Sequence, residues 1–277
     1  MEKNLDVQHL AGITEKGARY IKLPAFLEFP EIVAGFTTRF GGVSTGEFAT
    51  LNLSFTRSDN KENVFENYRL LSEDLGVPLG SMVLSYQTHS KNVMAVSKEH
   101  SGMGITKERN YTDIDGLITD EASLMLITHY ADCVPLYFYD PVRKVIGLSH
   151  SGWKGTLQDI AGETIRKLHD VYRCNPENIL VASGPHIRNC CFEVDADVAG
   201  EFAKTDYAKG HMLSGNNGKW MIDLEGIIIE SLKRHGIEMK NIYRCNICTK
   251  CHKDIFFSHR GSNGKSGTAA AFMMIRG

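Results

Sequence analysis

The segment Leu124 to Tyr139 constrains the fold of this 277-residue chain more than any other stretch. It is apolar through most of its length, and it is too long for one strand of about five or six residues. It must bend or break, and the place expected is near Asp132–Pro135. A break there leaves Cys133 at the end of a strand-like run. Two more apolar runs finish in the same way: Val83–Thr88 closes on His89, and Val145–Ser149 closes on His150. Two imidazoles and one thiolate suit a divalent zinc or copper ion with one open position, and an open position implies chemistry rather than scaffolding. Singly, each residue reads as a half-buried group at a strand end; the three together read as metal ligands. Asp132 and Gln87 are candidates to orient them.

Other elements follow from periodicity. Ile32–Thr38 reads as a strand entering a Gly-rich turn, and Lys61–Leu75 as a helix with the stripe Val64, Tyr68, Leu71 and Leu75, stopped by Gly76 and Pro78. Strands are expected at 83–88, 92–97, 115–119, 145–149 and 179–183. Helices are expected at 156–172, 195–204 and 224–235, the first with Thr156 as its N-cap. Ile242–Cys245 and Ala270–Ile275 are expected to close the sheet. Strands arriving singly and in pairs between helices favour a mixed α+β class over a regular βαβ repeat. The chain reads as one domain over 1–277, with 1–25 as an N-terminal arm or edge segment.

Composition excludes several classes. A net charge of −2 gives no basic surface for nucleic acid or membrane. No apolar run approaches the roughly 18 residues that cross a bilayer, and Met1–Gly17 has no signal-peptide core. The expected location is cytoplasmic. Seven cysteines, an odd number, argue for free thiols or metal ligands over a disulfide framework.

Several motifs carry a functional reading beside an ordinary one. Lys154, in the turn Gly152–Thr156 after His150, adds charge to a helix start suited to anions; the ordinary reading is a plain strand-to-helix turn. Arg39 before Gly41-Gly42 offers a donor fork for phosphate, or is a surface arginine on a hairpin. Asp115, in Asp113-Ile114-Asp115-Gly116, is a candidate general acid or base, or part of a common Asp-Gly turn. Adjacent Cys190 and Cys191 cannot face one pocket from a strand, so packing is their default, and Glu193 beside them is a candidate site carboxylate. Phe256-Phe257-Ser258-His259-Arg260 offers rings to stack on a ligand ring and cations for an anion, or is a strand end with an exposed polar tip. Cys245-x-x-Cys248-x-x-Cys251-His252 matches haem attachment only formally, and leaves a chance match or an accessory zinc site. Gly261–Ser266 lacks the spacing of a phosphate loop.

Taken in order, these segments resemble the YfiH-type laccase-domain family. The matching stretches are Thr37–Ser44, Gln87-Thr88-His89-Ser90, Asp113–Thr119, Ala131–Pro135, His150–Thr156, Gly184-Pro185, Cys191–Val194, Cys248-Thr249 and Phe257–Arg260. The chain departs from the family at Gly264–Thr268, which lacks an arginine, and at His186-Ile187-Arg188, which replaces a small-Ile-Gly segment. The resemblance implies layered mixed sheets with helices outside, and a zinc or copper ion on His89, Cys133 and His150. It implies phosphorolysis of adenosine and inosine to ribose 1-phosphate and free base, with adenosine deamination and methylthioadenosine cleavage as side activities, in a homodimer. On that reading Arg39, Lys154, Glu193 and Arg260 hold substrate or phosphate, and Asp115 or a metal-bound water assists the base. Three other readings use the same residues: copper-dependent phenol oxidation, a zinc-stabilised binding module with His129 as a fourth ligand, and hydrolysis with Cys133 as nucleophile and His150 as base.

Overall fold

Two mixed sheets pack face to face in the computed structural model, which describes residues 3–13, 17 and 19–277. One carries β1 (Tyr20–Lys22), β2 (Ile32–Thr37), β14 (Ala269–Ile275), β6 (Met125–Tyr130) and β3 (Met82–Leu84), in that spatial order. The other carries β13 (Ile242–Tyr243), β9 (Leu180–Ser183), β7 (Val134–Asp140), β8 (Val145–Ser151), β5 (Gly116–Thr119) and β4 (Val93–Ala95). A small antiparallel sheet of β10 (Glu193–Val194), β12 (Trp220–Ile222) and β11 (Met212–Ser214) lies apart.

Side-chain alternation explains the layering. Along β6, Leu126 and Tyr130 enter the core between the sheets with Phe36, Tyr137, Leu148 and Met273. Met125 and Ile127 point the other way and pack under α1 (Lys61–Leu75), against Val64, Tyr68 and Leu71. On the second sheet, Tyr137 and Tyr139 face inward, while Leu136 and Phe138 meet α3 (Ile160–Tyr172) and α5 (Leu224–Arg234). Both faces of each sheet are therefore buried, which is why the strands read as continuous apolar runs. The order is helix, sheet, sheet, helix, and the expected α+β layering holds. Each fully buried Leu or Val on α1 contributes about 1.5–3 kcal/mol over its exposed state.

The 124–139 run does break, at Ala131–Cys133 and so slightly earlier than the expected 132–135, since Val134 and Pro135 already pair within β7, and the structure gives the break a purpose. β6 ends at Tyr130 in one sheet and β7 begins at Val134 in the other, so Ala131-Asp132-Cys133 is the crossing between sheets. Asp132 makes the turn at φ 96°.

Other expectations need correction. The helix expected at 156–172 is two: α2 (Trp153–Leu157) and α3, separated at Asp159, which has φ 62°. Thr156 lies inside α2 and bonds Gly152 O at 3.0 Å; the side-chain cap is Asp159, accepting from Gly162 N at 3.1 Å. His235 Nε2, 2.8 Å from Asp159, ties that cap to the end of α5. β14 sits at the centre of its sheet rather than closing it, because it pairs with both β2 and β6. The strand expected at 83–88 ends at Leu84, which frees Ser85–His89 to leave the sheet. α4 (Ala196–Ala203) falls within its expected range.

In the N-terminal segment, β1 forms the sheet edge, and buried Leu5 donates its N–H to Arg244 O at 2.9 Å. Residues 1–2, 14–16 and 18 of that expected arm lie outside the described residues. No helix among those described is long and apolar enough to cross a membrane.

Candidate metal centre and its cavity

The chain passes between the sheets at Ala131–Cys133 and again between β3 and β4, and His89 lies on the second of these passages with φ 66°. His150 sits one residue before the end of β8, on the face toward the first sheet. These three elements bring the ligand atoms of His89, Cys133 and His150 within 4.8 Å of one another. Cys133 Sγ and His89 Nε2 are 4.0 Å apart, and the two imidazole centroids 4.9 Å. Gly152 completes the cradle: a Cβ there would stand 2.9 Å from His89 Cδ2 and 3.0 Å from Cys133 Sγ. That close approach accounts for the glycine after His150; α2 is a five-residue helix and no anion platform.

Asp115 orients the cluster. It is fully buried, and its Oδ1 lies 2.7 Å from His150 Nδ1. The same carboxylate accepts from Thr88 N at 2.8 Å, His89 N at 3.1 Å and Ser90 N at 3.0 Å. One side chain thus holds the His150 ring and shapes the His89 loop. Burial would raise the Asp115 carboxyl, but the His150 hydrogen bond and charge and the Thr88 and Ser90 N–H groups outweigh it and hold the pKa below the usual range. A group so enclosed cannot meet substrate, so the general acid or base expected at Asp115 is corrected to an orienting carboxylate.

The thiol and imidazole perturb each other. Burial opposes ionisation of both. The charge and hydrogen bonds of His150, with those of His89, nevertheless lower Cys133 to about 6. Cys133 and Asp115 raise His150 to about 9. At neutral pH the pair is a thiolate beside an imidazolium. The donor set fits zinc or copper: with Nδ1 held by Asp115, His150 presents Nε2, and all three ligands line an open cavity.

That cavity has a volume of about 690 Å³, within the usual size range for small-molecule sites. Arg57, Arg109 and Arg260 line it with His259, against the single carboxylate of Asp132. Asp132 is engaged on both oxygens, by Thr249 Oγ1 and Arg260 N at 2.7 Å each. It therefore ties the cavity wall together and does not orient a metal ligand. Each guanidinium donates one hydrogen bond, Arg57 Nε to Thr268 Oγ1 at 3.2 Å, Arg109 Nη1 to Ser85 O at 2.5 Å and Arg260 Nη1 to Glu193 O at 2.6 Å, and those of Arg109 and Arg260 also lie 4.7 and 5.6 Å over the Tyr86 and Phe192 rings. Phe55, Tyr86, Trp153 and Phe192 supply aromatic surface.

His129 lines the same cavity, but its Nε2 meets Tyr68 OH at 2.7 Å. It is no fourth ligand: the ligand atoms that converge are those of His89, Cys133 and His150, without His129. Tyr68 OH donates to Leu53 O at 2.7 Å and so accepts from His129 Nε2–H, which leaves Nδ1 as an acceptor. Burial and the nearby Arg109 charge push His129 down to about 3, keeping it neutral.

Three expected substrate contacts lie elsewhere. Arg39 spends its fork on Ala49 O, at 3.0 and 2.9 Å, and on Lys253 O at 2.8 Å, with its guanidinium 5.0 Å over Phe257. It fastens two loops and does not line the cavity. Lys154 is exposed, its ammonium 5.6 Å from the Trp153 ring, and Glu193 is exposed on β10. Phe256 and Phe257 are buried in the core, so of their motif only His259 and Arg260 reach the cavity. Gln87 bonds the backbone of His129 at 2.7 and 2.8 Å rather than a ligand. Arg57 and Arg109 carry no sequence signal; both sit in irregular segments with no recognisable spacing to the triad.

Residues 33–276 match the family described as multi-copper polyphenol oxidoreductase laccase. The chain belongs to this family. Among curated relatives, the purine nucleoside phosphorylase YlmD of Geobacillus stearothermophilus is 36% identical over 248 residues, covering 88% of this chain and 90% of that protein. The purine nucleoside phosphorylase YlmD of Bacillus subtilis is 31% identical, covering 89% of each. The crystal structure of YlmD from Geobacillus stearothermophilus shares the fold with a TM-score of 0.88 at 34% identity, covering 94% of this chain and 97% of that one.

Proposed function

We propose that this protein cleaves purine nucleosides, inosine and adenosine among them, with inorganic phosphate, releasing ribose 1-phosphate and free base. The observation that carries this reading is one cavity that sets the His89–Cys133–His150 cluster beside Arg57, Arg109 and Arg260. The printed activity of the relatives supports it.

Phosphorolysis breaks the C1′–N bond, whose electron pair leaves with the purine, and a phosphate oxygen bonds C1′. Phosphate must be held against that carbon. The free N–H groups of Arg57 and Arg109 take this role with Arg260, since one donor of each already fixes the guanidinium plane. Positive charge preorganised in the wall balances the phosphate without reorganisation. The aromatic groups cover the purine faces, and His129 Nδ1 accepts from a sugar hydroxyl or purine N–H. Zinc, or copper, on the three ligands supplies Lewis acidity at that wall. Asp115 keeps His150 in the tautomer that offers Nε2.

The test is metal-loaded protein with inosine and phosphate. Equal amounts of ribose 1-phosphate and hypoxanthine are expected, with no base released when phosphate is left out. No product from folded, metal-loaded protein would refute the reading. Adenosine and methylthioadenosine in the same assay decide the side activities: inosine from adenosine marks deamination. Phenol oxidation is tested by oxygen uptake under copper loading. The metal-ligand clusters among the described residues are one His-Cys-His set and one set of cysteines, and multicopper oxidation needs several copper centres.

A further inference from the structure

A second group of side chains lies outside the cavity, where the sequence suggests packing for Cys190 and Cys191 and a chance match or an accessory zinc site for the segment Cys245–His252. Cys190 and Cys191 stand on a turn and not on a strand: Cys191 N and Phe192 N both donate to Arg188 O at 2.8 Å. On a turn, neighbouring side chains can converge. Facing them is the turn Cys248-Thr249-Lys250-Cys251, with the two-residue spacing of a zinc knuckle. The four sulfur atoms lie within 4.8 Å of one another, with Cys191–Cys251 at 3.5 Å and Cys190–Cys251 at 3.8 Å. A tetrahedral ion with zinc–sulfur bonds of about 2.3 Å separates its sulfurs by about 3.8 Å. A disulfide needs about 2.05 Å, and all seven cysteines are free.

Two more observations favour an ion over packing. Cys190 and Cys251 are exposed, where a thiol buries no apolar surface. Cys248 Sγ accepts the Arg188 N–H at 3.5 Å, a bond that stabilises a thiolate. Cys245 and His252 stand outside the group, so the Cys-rich segment contributes only its second and third cysteines.

We propose that Cys190, Cys191, Cys248 and Cys251 bind one structural zinc ion, separate from the His-Cys-His centre. Binding forms four zinc–sulfur bonds and releases to solvent the protons that the thiols still carry. The ion closes its coordination with protein sulfur and has no position for substrate. It cross-links the loop after β9 to the loop before β14. The first loop sends Ile187 and Phe192 to the cavity, and the second sends His259 and Arg260. The site therefore holds one wall of the cavity in place.

The test uses full-length protein purified under reducing conditions with zinc as the only added metal. Native mass spectrometry is expected to find two zinc ions per wild-type chain, one in Cys133→Ala and one in Cys251→Ser. X-ray absorption of the Cys133→Ala protein is expected to show four sulfur neighbours at about 2.3 Å. Should Cys251→Ser fail to fold, the Cys133→Ala measurement decides alone. Zinc absent from Cys133→Ala, or ligated there by nitrogen or oxygen, overturns the proposal. So does a zinc-free wild-type chain lighter by two hydrogens, which marks a disulfide among these cysteines.

Discussion

The two cysteine-containing clusters are built by opposite means. His89, Cys133 and His150 come from two crossings between sheets and a strand end, and they share no short motif. A buried carboxylate holds them from behind, and a cavity of about 690 Å³ opens in front. The four-cysteine group comes from two surface turns, one carrying a recognisable Cys-x-x-Cys spacing, and its polar support is a backbone N–H. The first has three ligands and an open side; the second has four and none. Metal-ligand residues alone do not distinguish chemistry from scaffolding. The number of ligands and what lies in front of them do.

Five experiments break or sharpen this comparison. Cys133→Ala should lower phosphorolysis at least about 10³-fold, as expected for loss of a Lewis acid, while leaving the four-cysteine zinc in place. Full ribose 1-phosphate release in that variant would remove the cluster from the reaction.

Next in size is the pH dependence of metal affinity at the His-Cys-His site. Metal must displace the His150 Nε2 proton below about 9 and the Cys133 proton below about 6. Affinity should therefore fall about tenfold per unit from pH 9 to 6, and more steeply below 6. Chelator competition across pH measures both slopes; a flat profile contradicts the thiolate–imidazolium pair.

Asp115→Asn should weaken the same affinity about 10–100-fold, because the ring of His150 loses its anionic partner. The four-cysteine site should be unchanged, and an equal loss at both sites would indicate general unfolding.

Arg109→Ala should raise the KM for phosphate about tenfold, consistent with loss of one charge-assisted contact. The KM for inosine should move less than about twofold. Equal changes in both would place Arg109 outside the phosphate site.

The smallest effect on turnover is expected from Cys251→Ser. A loss of about 2 kcal/mol would lower Tm by several degrees in a chain of this size, while kcat at 25 °C stays within about twofold. A large fall in kcat with unchanged Tm would move that cluster from scaffold to chemistry.

Local patterns in the chain specify its elements well. The helix Lys61–Leu75 has its bounds, its buried stripe and its αL stop at Gly76 in the sequence, because a 3.6-residue period and a glycine are local signals. The need for a break near Ala131–Cys133 is equally local, since an overlong apolar run cannot remain one strand. The donor types of the His-Cys-His set were legible where three apolar runs end, although only His150 proves to sit at a strand end. Tertiary structure decided their partners: Asp115 as the brace behind His150, Arg57 and Arg109 in the cavity wall, and Arg39 clamped on carbonyls instead of phosphate. It also decided that Cys190 and Cys191 converge on Cys248 and Cys251, which strand alternation would forbid and a turn permits. The reason is physical: periodicity and turn chemistry act within a few residues, whereas a site is formed where segments distant in sequence are brought together by burying both faces of two sheets.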